Sequence, residues 1–528
     1  LSSFKLGVRI QCSMSYPTRR NDFIRTLCLR IDTRWRFLAI AVVAYSFGLR
    51  LLFSGQIELL PEEAYYWNYS RHLDIGYLDH PPLVAWLIRM GTGLFGNTEF
   101  GIRFAALGCG VAVSFFVFRL TRNLFGESSA WAALVFAQVL PYFFLSGMLM
   151  TPDAPLSAAW AATLYFLERA LLAGRRRAWA GVGVAFGLGM LSKYTIGLLG
   201  LGAFIFMLDA KSRPWFRRWE PYAAVLIAAA LFAPVIVWNA QHDWASFAFQ
   251  TSRRLAERPQ FALHKLIGGA LVLLTPTGLA TVWLAYRRGP DAVTAARARR
   301  FLGLSLGVPL IVFTCFSLRH EVKLDWTGAP WLAALPVMAY AIVERPGAPA
   351  TRAQSLLRAA WVPTLLVLLL FYGGGFYYLA PGIPGLSSAN SHMELVPFGW
   401  RDLGRQVDDI ATDVRARYGA DSLVVGMDRY AIASELAFYS KDQTLSVAGT
   451  SSAHLFDDMG LMYEQWFPAS RQGGRTLVLV AWNSDAISDA RLAKHVADLG
   501  PVRQGVLTRN GSVVRRYFYR VVHGYRAT

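Results

Sequence analysis

Carboxylates crowd one short stretch of this chain. Residues 55–100 hold Glu58, Glu62, Glu63, Asp74 and Asp79 among Tyr65, Tyr66, Trp67, Tyr69, Tyr77 and Trp86. Glu62, Glu63 and Asp79 each sit in a run of apolar or aromatic neighbours beside an apolar span. An ionisable group there is costly and marks a functional site. Asp74 reads as a solvated loop acid. Asp153, in Met150-Thr151-Pro152-Asp153-Ala154-Pro155, fits a functional acid and equally a carboxylate favouring a helix N-terminus. Asp153 and the first-loop acids fall on the same face of the membrane, and two or three converging carboxylates suit a hard divalent cation with oxygen ligands. Lys193 fits a phosphate held by a point charge and equally a lysine snorkelling to a membrane interface. The segment Arg319-His320-Glu321-Val322-Lys323-Leu324-Asp325-Trp326 packs charge between two spans. Lys323 is its candidate for anion or substrate contact. His320 reads more readily as structural than as a metal ligand.

The elements that hold these residues must be mostly membrane helices. Hydrophobic residues make up 54% of the chain and charged residues 16%, against about 25% charge in a soluble domain. That balance excludes a disordered chain, a fibrous protein and an ordinary water-soluble enzyme. The net charge of +19 is spread in short runs between apolar stretches. This is the pattern of topology signals, and no nucleic-acid-binding signature accompanies it. The four cysteines form no CxxC pair or Cys/His cluster, so neither a disulfide framework nor a thiolate metal site is implied.

Eleven stretches approach the length of about 20 residues that a crossing needs: 37–54, 101–119, 128–146, 154–172, 178–192, 195–209, 221–239, 264–285, 301–318, 327–343 and 357–380. The fifth and sixth are separated only by Ser192-Lys193-Tyr194. Basic residues crowd alternate loops, as at Arg175–Arg177, Lys211–Arg218 and Arg287–Arg300, which places the N-terminus in the cytoplasm and the C-terminus outside. The chain divides into a basic cytoplasmic segment (1–36), a transmembrane domain (37–380) and an outer α/β domain (385–528). The first span reads as an uncleaved anchor rather than a signal peptide, and Met14 is a candidate start. In the first outer loop, Glu62–Ser70 and Leu83–Leu94 read as two amphipathic helices lying in the interface. After the linker Pro381-Gly382-Ile383-Pro384-Gly385 come helical patterns near 400–418, 431–440 and 487–499. Strand-like runs follow at Ser422–Met427, Thr444–Val447 and Leu477–Ala481, and Arg509-Asn510-Gly511 reads as a hairpin turn.

Taken in order, several motifs carry a family likeness: Glu62-Glu63-Ala64-Tyr65-Tyr66-Trp67, Gly76-Tyr77-Leu78-Asp79-His80-Pro81-Pro82-Leu83 and Thr151-Pro152-Asp153-Ala154-Pro155-Leu156. They resemble the ArnT-like and protein O-mannosyltransferase (PMT) superfamily of GT-C fold glycosyltransferases, which use polyprenyl-phosphate-linked sugars. Ser192-Lys193-Tyr194, Lys323-Leu324-Asp325-Trp326 and the C-terminal run with Arg429-Tyr430, Ser434-Glu435-Leu436 and Phe438-Tyr439 share the resemblance. It implies Glu62 as the catalytic acid-base residue, although the family usually has Asp-Glu where this chain has Glu-Glu. It implies Asp79 and Asp153 at a divalent metal (Mg, Mn or Zn). It also implies Lys193, Arg103 and His80 at the donor phosphate, His80 standing where the aminoarabinose transferases have a lysine. Glu63, Tyr66, His320 and Lys323 are candidate substrate contacts.

The expected reaction is metal-assisted, inverting transfer of a sugar to an envelope acceptor: lipid A, lipopolysaccharide core or another glycolipid, on the periplasmic face of a bacterial inner membrane. A glycoprotein acceptor is the alternative. A lipid-linked sugar transporter would show paired repeats and broken helices at mid-membrane, whereas the acids here gather at one face. A non-catalytic envelope assembly protein is the remaining competitor.

Overall fold

The computed structural model describes residues 19–527 apart from 254–255, 257, 288–292, 344–350, 384–397, 420–421 and 510. The basic segment up to residue 18, Arg254, Arg288, Arg345 and the linker beyond Ile383 lie outside these residues. Among the described residues, six helices are long and apolar enough to cross a membrane: Thr33–Phe53, Glu99–Phe125, Glu220–Gln241, Leu263–Arg287, Ala295–Ser317 and Arg352–Leu379. The chain is thus a mostly helical, multi-pass membrane protein.

The other expected spans form shorter pieces, each for a local reason. The stretch 128–146 divides into α5 (Glu127–Val139) and α6 (Pro141–Ser146). Leu140 is extended, and Pro141 has no N–H to continue the first helix but is well placed to begin the next. The stretch 154–172 is α7 (Asp153–Leu167), which ends in a π turn through Leu172. The expected break at Ser192-Lys193-Tyr194 is present, between α8 (Ala178–Met190) and α9 (Gly197–Met207). Residues 329–333 form a 3-10 turn before the short helix Leu335–Ile342.

The first loop holds α2 (Pro61–Arg71) and α3 (Leu83–Phe95), leading into α4 (Glu99–Phe125). Pro61 starts α2 because its fixed φ suits the first helical position. The expectation that α2 lies half-exposed at an interface is overturned. Every residue from Glu63 to Ser70 is buried. One apolar core joins first-loop residues such as Leu59, Tyr65, Trp67 and Ile88 with Leu423, Ala433, Phe438, Met462 and Leu477 of the C-terminal domain. Loop and soluble domain therefore pack as one body.

The C-terminal domain is a five-stranded sheet in the order β2-β1-β3-β5-β4. Strands β1 (Ser422–Gly426), β2 (Thr450–Ser452) and β3 (Thr476–Ala481) are parallel. Strands β4 (Asp498–Arg509) and β5 (Ser512–His523) form the antiparallel hairpin expected at Arg509-Gly511. Two expectations fail. Thr444–Val447 lies in the helix Gln443–Gly449, where the Asp442 carboxylate accepts the Thr444 and Leu445 N–H groups at 3.0 Å. That N-cap outweighs the strand preference of the β-branched residues. Residues 487–499 form short turns rather than one helix, with β4 beginning at Asp498. The helix Ala431–Tyr439 packs directly on α2.

Helices α3 and α4 meet at glycines. A Cβ on Gly91 would lie 2.2 Å from the Gly101 carbonyl oxygen, a backbone atom that cannot swing aside. Gly91→Ala is therefore expected to cost about 1–3 kcal/mol, the usual penalty of overpacking. It should appear as a lower thermal midpoint of the detergent-solubilised protein.

Candidate active site

The spacing of α2 decides which of its side chains are free. Successive helical residues diverge, whereas those four apart share a face. Glu62 and Tyr66 thus share one face, and Tyr65 and Tyr69 another. Glu62 is only half-buried, and its one hydrogen-bond partner among the described residues is the Tyr430 hydroxyl, which reaches Oε1 at 3.4 Å. Both acids lie in the first turn of this helix.

Glu63 is turned inward and fully enclosed against Arg103. The Arg103 guanidinium spends all five N–H groups. It donates to Glu63 Oε1 at 2.9 Å and Oε2 at 2.5 Å, to the Ser54 and Ile57 carbonyls at 3.0 and 2.6 Å, and to the Glu58 carbonyl at 3.0 Å. Glu63 in turn accepts the Leu60 N–H at 3.2 Å and the Met150 N–H at 3.0 Å. The expectations of Arg103 on the donor phosphate and of Glu63 on substrate are therefore corrected. Neither side chain keeps a free polar group or an exposed surface. Together they fix the start of α2 and the turn that precedes Asp153.

Asp79 is buried at 6% exposure. Its Oδ1 accepts the Tyr65 hydroxyl at 3.2 Å and a closer bond from the Tyr69 hydroxyl. Burial pushes its carboxyl above the usual range, and the two phenols oppose that shift. Tyr66 lies edge-on to His80, ring centroids 5.6 Å apart. Leu83 N–H donates to the Leu191 carbonyl at 3.0 Å, which ties the Asp79-His80-Pro81-Pro82 turn to the one carrying Lys193.

Lys193 is nearly enclosed between two acids. Its Nζ donates to Asp153 Oδ1 and Oδ2 at 3.0 and 3.1 Å and to Asp325 Oδ2 at 2.7 Å. Burial raises the Asp153 carboxyl, and the neighbouring Asp325 adds to that rise against the pull of Lys193. Asp153 and Lys193 are separate candidates in the sequence, and Asp325 is one that the sequence reading misses; its place in a charged segment after a span is the signal. Lys323 is exposed and makes no ion pair among the described residues. His320 rests beside the Phe316 ring, centroids 4.9 Å apart.

The metal expectation meets a poor donor set. Among the described residues no three His, Cys, Asp or Glu side chains gather as a cation site. Asp79 is engaged by two phenols and Asp153 by an ammonium, so the two acids expected to share an ion already have other partners. The residues do not fit the group, and the positive charge here is that of Lys193.

The C-terminal domain roofs the first-loop acids. Glu58 Oε2 accepts the Trp400 N–H at 2.7 Å. Glu99 accepts Arg401 Nε at 3.0 Å and the Tyr439 hydroxyl at 3.2 Å. Leu59 N–H donates to the Tyr439 oxygen at 2.8 Å. Of the C-terminal residues singled out in the sequence, Arg429 is exposed, Tyr430 reaches Glu62, and Glu435 is fully buried. Among the described residues, neither Glu435 oxygen has a hydrogen-bond partner. Burial first, then the charges of Glu58 and Glu63, push its carboxyl well above the usual range.

Two outcomes follow from these contacts. Arg103→Lys supplies three donors where five acceptors wait, and breaking a buried pair costs about 3–5 kcal/mol; a sharp fall in folded yield on size-exclusion chromatography is expected. Glu435 holds its proton in the folded protein well above the pH at which an unfolded carboxyl loses it. Wild-type stability must therefore fall as pH rises from the ordinary carboxylate range towards the raised value. Glu435→Gln removes that dependence. Its thermal midpoint should exceed wild type by a margin that grows from pH 5 to pH 8.

Residues 79–238 match the family model described as dolichyl-phosphate-mannose-protein mannosyltransferase. The chain is 27% identical to the lipid A galacturonosyltransferase RgtD of Rhizobium johnstonii, over 77% of this chain and 82% of that protein. It is 28% identical to the undecaprenyl phosphate-alpha-4-amino-4-deoxy-L-arabinose arabinosyl transferase of Pseudomonas aeruginosa, over 53% of this chain and 52% of that one, so this match spans about half of the relative's length. Among solved structures, ArnT from Cupriavidus metallidurans bound to undecaprenyl phosphate superposes with a TM-score of 0.60 at 16% identity, covering 91% of this chain and 97% of that one.

Proposed function

We propose that this chain, whose sequence and fold are those of an ArnT-like and PMT superfamily relative with the GT-C fold, is a glycosyltransferase. It moves a sugar from a polyprenyl-phosphate donor to an envelope glycolipid, lipid A or lipopolysaccharide core. The single observation that carries the reading is a half-buried Glu62, bonded only by the Tyr430 hydroxyl among the described residues, in a chain that also holds a lysine between two acids. These are a base for the acceptor and a cation for the leaving phosphate.

In this reaction Glu62 takes the proton of the acceptor hydroxyl, a role worth about 10²–10⁴-fold in rate. The freed oxygen attacks the anomeric carbon, and the bond from that carbon to the phosphate oxygen breaks. The electron pair leaves with the polyprenyl phosphate, whose growing charge the Lys193 ammonium meets by exchanging one of its three carboxylate contacts for a phosphate oxygen. Asp153 and Asp325 hold that ammonium charged and in place. Asp79 and Tyr66 face sugar hydroxyls, and His80 lies beside Tyr66. Direct displacement inverts the anomeric centre. We place the chain in the bacterial inner membrane with about eleven crossings, the N-terminus in the cytoplasm and the C-terminal domain in the periplasm.

The test is turnover of polyprenyl-phosphate-linked galacturonic acid and aminoarabinose by the purified chain, with lipid A as acceptor and mass spectrometry as readout. Glu62→Gln is expected to lose about 100-fold or more, and Lys193→Met to lose comparably. A chelator should leave the wild-type rate unchanged. Full transfer by both variants would overturn the site, and no transfer of either sugar by wild type to lipid A or core would overturn the reading.

A further inference from the structure

Transfer as described needs no residue beyond the membrane region except the roof over Glu62, yet the soluble domain reaches further in. Met462 follows Leu461, which is held in the left-handed region at φ 52°. Its backbone N–H donates to the Tyr65 hydroxyl oxygen at 3.2 Å. Its Sδ accepts the N–H of Leu78, the residue before Asp79, at 3.3 Å. One turn of the soluble domain thus grips both the side chain that bonds Asp79 and the backbone that carries it.

Proton counting fixes the direction of this chain. A phenol has one proton and an oxygen that accepts. The Met462 N–H donates to the Tyr65 oxygen and the Tyr69 hydroxyl meets that oxygen as a second donor at 3.3 Å, so the one Tyr65 proton goes to Asp79 Oδ1. The Tyr69 hydroxyl reaches the same Oδ1, so Oδ2 is turned away from both phenols. The Tyr65 ring packs on Tyr69 and Tyr66 of its own helix and also on three rings of the soluble domain. Tyr430 lies 4.7 Å from it, Trp466 6.2 Å and Tyr463 6.3 Å, centroid to centroid.

We propose that Tyr65 is a positioning residue through which the soluble domain sets Asp79. Docking of Met462 commits the Tyr65 proton to Oδ1 and orients Oδ2 towards the sugar. The domain is then a working part of the site rather than a lid beside it. This rests on the transferase reading for its kinetic consequence but not for its geometry.

Two measurements test it. Tyr65→Phe keeps the ring and removes only the oxygen. Hydrogen–deuterium exchange over residues 459–467 should then speed up, because the Met462 amide loses its acceptor, while Tyr69→Phe leaves that segment unchanged. Unchanged exchange in Tyr65→Phe overturns the tie, whether or not the chain transfers sugar. In turnover, Tyr65→Phe should lose about tenfold or more in kcat/KM, the worth of one hydrogen bond to a charged group. Tyr65→Phe combined with Asp79→Asn should lose no more than Asp79→Asn alone, since residues acting through one another are not additive. Additive losses would give Tyr65 a role independent of Asp79 and overturn the proposal. If Asp79→Asn is too slow to measure, Asp79→Glu supplies the second background. A wild type that transfers nothing overturns the transferase reading and leaves the exchange result to decide the tie.

Discussion

A guanidinium with five filled hydrogen bonds is the constraint on which the site depends. Arg103 stands on α4, and its acceptors lie on the turn that leads from the first span to α2 and on Glu63. Glu63 passes the constraint on through its bond to the Met150 N–H. Three separate segments are thereby held to one planar group. A buried ion pair is weak evidence for net stability, because desolvation offsets most of the attraction. Its value here is geometric. The fork of a guanidinium allows one arrangement of its acceptors, so the turn carrying Glu62 and the turn preceding Asp153 cannot shift separately.

Division of labour between adjacent acids follows from helical geometry. Glu62 and Glu63 differ by one position, and that step of about 100° separates the half-buried acid proposed as the base from an enclosed anchor. The same helix places Tyr65 and Tyr69 on a third direction, against Asp79. About two turns of α2 therefore supply the proposed base, a structural ion pair and a pair of donors. Lys193 needs a different solution, because it sits at a break between two short helices. Two carboxylates on separate segments hold it there, one at the start of α7 and one in the 3-10 turn Leu324–Thr327.

Much of this was legible in the sequence where local chemistry decides the outcome. Pro61 announced the start of α2, Ser192-Lys193-Tyr194 the break between two apolar helices, and Arg509-Asn510-Gly511 the hairpin. What stayed hidden depends on partners far along the chain. Nothing local says that Glu63, rather than Glu62, turns inward; that follows from Arg103 some 40 positions on. The spacing of Tyr65 and Tyr69 could have revealed a shared face, but not that Asp79 lies against it. α2 looked like an interfacial helix because its aromatics match a headgroup belt. They are covered instead by the helix Ala431–Tyr439 and the turn at Met462. The strand expected at Thr444–Val447 failed for a local reason: the Asp442 cap was there to be read, and β-branched composition was given more weight.

The roof over the first loop also sets an order in time. Tyr430 meets Glu62 across 368 positions of sequence, and Met462 meets Tyr65 across 397. A ribosome makes the first-loop acids several hundred residues before their partners. Contacts of such separation close late, because loop-closure entropy must be overcome before they form. During synthesis the first loop therefore waits with its aromatic face uncovered, and α2 exposes tyrosines and Trp67 that the mature protein hides. A chain cut short before Tyr430 would carry Glu62, Asp79, Asp153, Lys193 and Asp325 and still leave that surface bare.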